Sequence, residues 1–221
     1  MAVFAAIVIA VVGASYVMTK QAMKKAKAQA DAMAGVLVNK ESNIEPIPVI
    51  YGDRRVGGVR VFVSTKDFPG GDKNEFLYIA LVMAEGEVES ISNIYIDDVP
   101  ITDPKYSGLY TINVHLGADD QAYDPLLTEA NAGWTSNHRL QGVAYLAIKL
   151  KWDSDVFQGV PDITAVVRGR KVYDPRTGHT AYSSNPALCI RDYLTNNRYG
   201  KGLPLSAIDD VAFSAAANDC D

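Results

Sequence analysis

The sequence is poor in the side chains that carry most catalytic and metal chemistry, with two cysteines and three histidines in 221 residues. Cys189 and Cys220 form no CxxC pair and have no histidine partner at ligand spacing. That excludes a zinc ribbon, and two cysteines are too few for a disulfide scaffold. They are expected as buried free thiols, with a bridge between them as the alternative. His115, His138 and His179 make no HExxH or related metal spacing, and each is expected at the surface or in a turn. There is no GxxxxGK[ST]: neither Gly57 and Gly58 in YGDRRVGGV nor the GRKVYDPRTG stretch builds a phosphate cradle. Asp119, Asp120 and Asp124 in GADDQAYD lack the alternation and distal Glu of a calcium loop and read as a solvated turn. Asp153, Asp162 and Asp174 have no sequence reason to converge as an acid/base pair. The expectation is a chain without catalytic centre, cofactor or metal.

Basic charge is also scarce outside one region. The formal net charge is −5; residues 1–43 hold five lysines against two acids, a balance of +3, so the remainder carries −8. A body of that sign is not built for specific nucleic-acid recognition. With 48% hydrophobic and 21% charged residues, the chain can bury one good-sized core or two small ones, and disorder is not expected.

Charge is absent altogether from MAVFAAIVIAVVGASYVM, Met1 to Met18, which runs into an alanine-rich stretch carrying Lys20, Lys24, Lys25 and Lys27. As a helix, some 18 residues reach about 27 Å, just short of a bilayer core of about 30 Å. A secretory signal fits poorly because the positive residues follow the apolar run. Two readings stay open: a membrane anchor with a cytoplasmic body, and a helix buried against copies of itself in an oligomer.

From Pro46 the pattern changes to strands. Val59, Val61 and Val63 alternate with Arg60, Phe62 and Ser64, and FLYIALVM, Phe76 to Met83, is the continuous apolar run of a strand covered on both faces. SISNIYIDDVPI reads as two short strands meeting at the Asp97–Asp98 turn. Val143 to Trp152 alternates, with Ala144, Leu146, Ile148, Leu150 and Trp152 on one face, and Ile163 to Val172 continues the pattern. Between them run polar connections, the longest from Leu116 to Gln141.

Two helices follow. Asn185 is a good N-cap and Pro186 suits the first helical position, so a helix is expected near 186–196, with Leu188, Cys189, Ile190, Tyr193 and Leu194 on a broad apolar face. Asn196, Asn197 and Gly200 suit a left-handed stop. A second helix is expected near 206–219: Ser206 with Asp209 resembles a capping box, and Ile208, Val211, Ala212, Ala215 and Ala216 follow the spacing of a buried face. The fold class is therefore α+β, with a mainly β body at residues 44–221, a C-terminal helix pair, and a long apolar, then Lys-rich, N-terminal helix within residues 1–43.

Four stretches, PIPVIYGDRRVGG, IYIDDVPI, GVPDITAVVRGRKVYDPRTG and AYSSNPALCIRDYLTNNRYGKGL, resemble the N-terminal part of phage tail tip hub proteins of the lambda tip attachment protein J family. The resemblance covers about residues 44–221. It implies a hub barrel or sandwich that works as a structural virion component at the distal end of the tail, closing the tail tube and contributing to host attachment and genome delivery. By the same resemblance the partners are two further copies in a homotrimer and other tail tip and distal tail proteins; the N-terminus, which the resemblance does not cover, is expected to meet the tape measure protein or, once released, a host membrane. The residues matched to the hub motif are Asn185, Pro186, Leu188, Asp192, Leu194, Arg198, Tyr199 and Gly200. Arg198 and Tyr199 are expected to lock the helix pair to the sheet, with Arg168, Arg170, Asp174 and Arg191 as further candidates. A membrane-anchored envelope binding module is the alternative function, and an enzyme is the least expected of the three.

Overall fold

The computed structural model describes residues 40–41, 45–67, 70 and 73–221. The apolar stretch Met1 to Met18, the lysine cluster and the long helix expected there lie outside the described residues. Among the described residues no helix is long and apolar enough to cross a membrane.

The described residues build ten strands: β1 (Lys40–Glu41), β2 (Asp53–Gly57), β3 (Val59–Lys66), β4 (Phe76–Glu85), β5 (Val88–Ile96), β6 (Val99–Pro100), β7 (Tyr110–Leu116), β8 (Val143–Lys151), β9 (Ile163–Asp174) and β10 (His179–Tyr182). One sheet has the order β1-β3-β4-β8-β7; the other has β10-β9-β5-β6, and β2 pairs with β9 as well. β2 opposes Thr164 to Arg168 and β10 opposes Lys171 to Asp174, so the two lie end to end along one side of β9. Helices α1 (Pro125–Thr128), α2 (Pro186–Thr195) and α3 (Asp210–Asp219) complete the body. The result is β-dominant α+β.

The unbroken apolar run of β4 is buried from Leu77 to Glu85, as expected of a strand covered on both faces. Its even-numbered face, with Ala80 and Val82, joins Tyr145 and Ala147 of β8 in a cluster that Leu127 and Trp134 of the 117–142 segment cover. The odd-numbered face carries Leu77, Ile79 and Leu81 beside Leu150, Ile148 and Leu146 of β8, all buried. β8 does not follow the one-sided alternation expected of it: Val143 to Ile148 are buried without interruption, because both faces are covered.

Alternation also fails in β3. The register slips between Arg60 and Phe62, and Phe62 turns onto Trp134 at 5.1 Å while Val61 is left exposed. A bulge of this kind flips every later side chain to the other face.

The 117–142 segment is no plain polar connection. Asp124, read as part of a solvated turn, is buried: it caps α1 through the Leu126 N–H at 2.7 Å, and it accepts from Asn113 at 3.0 Å and bonds His115 at 2.7 Å. His115 is thus half-buried on β7, its ring stacked 4.3 Å from Tyr145, in place of the expected surface position. Burial pushes the Asp124 carboxyl up, but the bonds from His115, Asn113 and Leu126 outweigh it and hold the group below its ordinary value. A carboxylate depressed in the folded state contributes stability above its unfolded value, near 3.9, that is lost as pH falls through the folded value. Acid titration of Asp124→Asn should therefore flatten the fall in stability below about pH 4, and a curve parallel to that of the unaltered protein would exclude this anchor.

At the β4–β5 junction the chain passes from one sheet to the other through Gly86, which has φ +81°. A Cβ there would sit 1.8 Å from Nη1 of Arg170, so the absence of a side chain is what admits that guanidinium.

Candidate functional site

The hub-motif residues lie where α2 and its following loop meet the second sheet. Asn185 caps α2, its side-chain oxygen accepting from the N–H groups of Ala187 and Leu188, and Pro186 stands at the first turn. α2 ends at Thr195, one residue short of the expectation. Its buried side is narrower than the predicted face: Ala187, Leu188 and Arg191 are buried, Leu194 is half-buried, and Ile190 and Tyr193 are exposed. Leu188 packs with Val172 of β9 and Ala217 of α3, so one side chain joins sheet and both helices.

The stop is not made where expected. Asn196 and Asn197 do not take left-handed geometry, and the positive φ falls at Gly202, with +63°. Gly200 serves differently: a Cβ on it would meet the Tyr193 carbonyl at 1.9 Å and that of Asn196 at 2.7 Å. The loop closes onto the helix end, with the Lys201 N–H donating to the Tyr193 carbonyl at 2.9 Å.

Asp192 is the centre of the polar arrangement. Its Oδ2 accepts from the hydroxyls of Tyr51 and Tyr199, each at 2.5 Å, and from Nε of Arg170 at 3.3 Å. The Arg170 guanidinium also lies 4.9 Å from the centre of the Tyr199 ring. Burial, then the neighbouring carboxylate, pushes both tyrosine hydroxyls far above their ordinary value. The lock thus unites four segments: the β2 approach, β9, α2 and its loop. Asp192→Asn keeps the shape but leaves a neutral acceptor facing Arg170. A loss of about 2 kcal/mol is expected in chemical denaturation, and unchanged stability would show the contacts to be incidental.

Arg198 reaches elsewhere. Its Nε lies 2.6 Å from Oε1 of Glu85, a buried carboxylate at the end of β4, so the loop is fastened to the first sheet as well. Arg191 makes a two-pronged pair with Asp210 at 2.7 and 3.1 Å and covers the Tyr173 ring, linking the helices. Arg168 and Asp174 are not part of this set. Arg168 faces Asp53 at 3.4 Å and the Tyr182 ring at the β2–β10 junction. Asp174 pairs with Arg176, which also holds Asn218 and Asp221 at the end of the chain.

The second helix departs most from expectation. α3 begins at Asp210 with Asp209 as its cap; Ser206 lies in a separate 3-10 turn, Leu205–Ala207. Only Ala217 is buried on it, and Val211 is 81% exposed. Cys189 is half-buried and Cys220 exposed, and both are free thiols.

Tyr51, Glu85, Asp210 and Arg176 were not singled out from sequence. Tyr51 lies inside the PIPVIYGD motif and Arg176 inside GRKVYDPRTG, and those motifs are their available signals; Glu85 and Asp210 are ordinary charged residues whose partners are set by the tertiary fold.

Between the β4–β5 junction and the loop after α2 lies a polar cleft of about 310 Å³, lined among others by Glu85, Glu87, Arg170, Lys171, Arg198 and Tyr199. Each of its bases already faces an acid: Arg198 with Glu85, Lys171 with Glu87, Arg170 with Asp192. The three histidines occupy separate places, His115 on Asp124, His138 against Trp134, and His179 at the start of β10. Among the described residues no three potential metal ligands group together. What the arrangement does chemically is to fix elements to one another.

No family model matches the chain. It is 23% identical to the baseplate hub protein pb3 of Escherichia phage T5 in an alignment of 221 positions that takes in 72% of this chain. The chain spans 23% of that protein's length. A chain from a structure of the virion of a native gene transfer agent particle aligns with a TM-score of 0.46 and 26% identity, over 60% of this chain and 28% of that one. The sequence relationship is thus a weak homology to a phage baseplate hub protein, coarser than the lambda-type subfamily that the motifs suggested.

Proposed function

We propose that this chain is a non-enzymatic structural subunit of a phage tail tip hub of the lambda tip attachment type, closing the distal end of the tail tube. The observation that carries the reading is the similarity to a baseplate hub protein across 72% of the chain. The geometry supports it by the use made of charge. The motif residues Asp192, Arg198 and Tyr199, with Asn185, are spent on holding sheets and helices together, which suits a protein that works through rigid shape and buried area. In this reading three copies form a ring, contact neighbouring tail proteins and the tape measure protein, and contribute to host attachment and genome delivery.

Labelled antibody against residues 44–221, imaged on intact particles, should mark the end of the tail distal to the capsid. Label confined to bacterial membranes would support the anchored binding module instead. Deletion of residues 2–18 separates the roles of the two regions. The expected result is a β-rich body with unchanged circular dichroism and melting, and particles that fail in tail completion or genome delivery. Full infectivity of the deletion would remove the N-terminal segment from the mechanism.

A further inference from the structure

Sheet edges are the places where a β protein offers unpaired backbone to other chains, and they are normally shortened, charged, bulged or covered. Most edges here follow that rule. β6 and β1 have two residues each, β10 has four, β2 carries Asp53, Arg54 and Arg55, and β3 is bulged and ends in Lys66. β7 is neither short, charged nor bulged, and among the described residues no strand other than β8 pairs with it. Its seven residues, YTINVHL, include no Asp, Glu, Lys, Arg or Pro, and they pair with β8 in unbroken register.

The open side of β7 is defined by its hydrogen bonds. The Lys151 N–H donates to the Leu109 carbonyl at 2.8 Å at one end. At the other end the Gln121 amide bridges Gly117 and Val143, accepting from the Gly117 N–H and donating to the Val143 carbonyl. Alternation in an antiparallel ladder then turns Thr111, Asn113 and His115 toward β8, and the N–H and C=O groups of Tyr110, Ile112, Val114 and Leu116 away from it. β5 of the second sheet comes near β7 but forms no ladder with it. Three of the four side chains on this row are partly exposed, Tyr110 at 37%, Val114 at 43% and Leu116 at 36%, and Ile112 is half-buried.

We propose that β7 is a self-association edge whose occupant is the β7 strand of a second copy of this chain, paired antiparallel about a two-fold axis through Asn113. The strand is self-complementary in that register. Tyr110 falls opposite Leu116 of the second copy and Ile112 opposite Val114, each a hydrogen-bonded pair made from outward-facing groups. Thr111 falls opposite His115, and Asn113 opposite itself. One face of the joint is then apolar throughout and the other polar, and no like charges meet, since the strand carries no Asp, Glu, Lys or Arg. The bulge and Lys66 make β3 a poorer partner for the same edge. The contact is isologous, so it adds to a three-fold ring and does not build one, and it does not depend on the hub reading. One strand pair falls below the roughly 1,200 Å² of a stable interface, so association is expected to be transient in dilute solution.

The test is a register-specific disulfide in the full chain. With Cys189→Ser and Cys220→Ser as background, Asn113→Cys places two thiols across a non-hydrogen-bonded pair, where Cα atoms about 4.5 Å apart suit a disulfide. Mild oxidation at tens of micromolar should give a covalent dimer at least ten times faster than Thr111→Cys, whose position does not face itself. Adding Val114→Lys should cut the rate at least tenfold. Equal rates at positions 111 and 113, or no effect of Val114→Lys, would overturn the proposal, because collision or association through another region would then explain the cross-link. Amide hydrogen exchange on the unaltered chain reaches the same decision even where Asn113→Cys does not fold. Protection of the Tyr110, Ile112, Val114 and Leu116 amides should rise with concentration while that of Thr111, Asn113 and His115 stays constant. Four edge amides that exchange freely at every concentration would reject the two-fold pairing.

Discussion

Leu188→Asp is expected to yield no soluble native protein, whereas Leu194→Asp, six residues along the same helix, is expected to fold with reduced stability. Leu188 is enclosed by Val172, Ala187 and Ala217, so the substitution removes the contacts joining β9, α2 and α3 and sets a carboxylate among them. Removing a buried leucine side chain alone costs about 2–5 kcal/mol, and an unpaired buried charge adds several more. That sum rivals the roughly 5–15 kcal/mol that holds a typical domain together. Leu194 is only half-buried, so a carboxylate there keeps part of its hydration. Expression of both variants, followed by fractionation and thermal melting of the soluble part, separates them. Equal behaviour would mean that α2 is not held by the face that Leu188 defines.

The contrast between those two leucines shows how far the sequence could be read. The strand positions were legible because a buried strand such as Phe76 to Met83 is written as a local apolar run, and the turn at Asp97–Asp98 is local too. The start of α2 was legible for the same reason, as Asn-Pro is a capping signal complete in two residues. Which face of a helix is buried is not local information. Apolar residues lie all round α2 and α3, and periodicity cannot say that Ile190, Tyr193 and Val211 face outward while Arg191 faces in. Arg191 is buried because Asp210, 19 residues on, supplies a two-pronged partner. The bulge at Arg60/Phe62 was hidden likewise, since the Trp134 that Phe62 meets comes from the distant 117–142 segment.

The candidate site divides along the same line. Asp192 and Tyr199 stand close enough in sequence to be suspected together, but their partners Tyr51 and Arg170 come from segments 141 and 22 residues from Asp192. Arg198 belongs to the hub motif, yet its partner Glu85 lies 113 positions away and on the other sheet. A motif thus identifies one half of each contact. The fold supplies the other, and with it the result that the motif ties the helix pair to both sheets. The exposed side of α3 and the 3-10 turn before it add a further point: Val211 at 81% and Leu205 at 68% exposure are apolar positions that packing within this body does not explain.

Asn185 should discriminate against aspartate more strongly than against alanine, the reverse of the usual order at a helix cap. Asn and Asp are about equally good caps in general, because both present an oxygen to the first-turn amides, and Ala costs about 1 kcal/mol. Here the side chain has a second task. While Oδ1 accepts from Ala187 and Leu188, the buried Nδ2 donates to the Ala217 carbonyl at 2.8 Å and to Oδ1 of Asp221 at 2.9 Å. One amide therefore begins α2 and ends α3. Aspartate preserves the first function but sets an anionic oxygen against a carbonyl near the C-terminus of α3 and against a second carboxylate. Both donors are lost and a repulsion takes their place. Alanine loses the cap and both donors without that repulsion, for an expected cost of about 2 kcal/mol. For aspartate about 3 kcal/mol or more is expected, because an acceptor is buried against acceptors. In a body of this size the two correspond to falls of about 4–8 °C and about 6–12 °C in melting temperature. The aspartate defect should also shrink when Asp221→Asn is added, since that removes the opposing charge and restores a donor. If Asn185→Asp melts with the unaltered protein, Nδ2 contributes nothing and Asn185 is a cap alone.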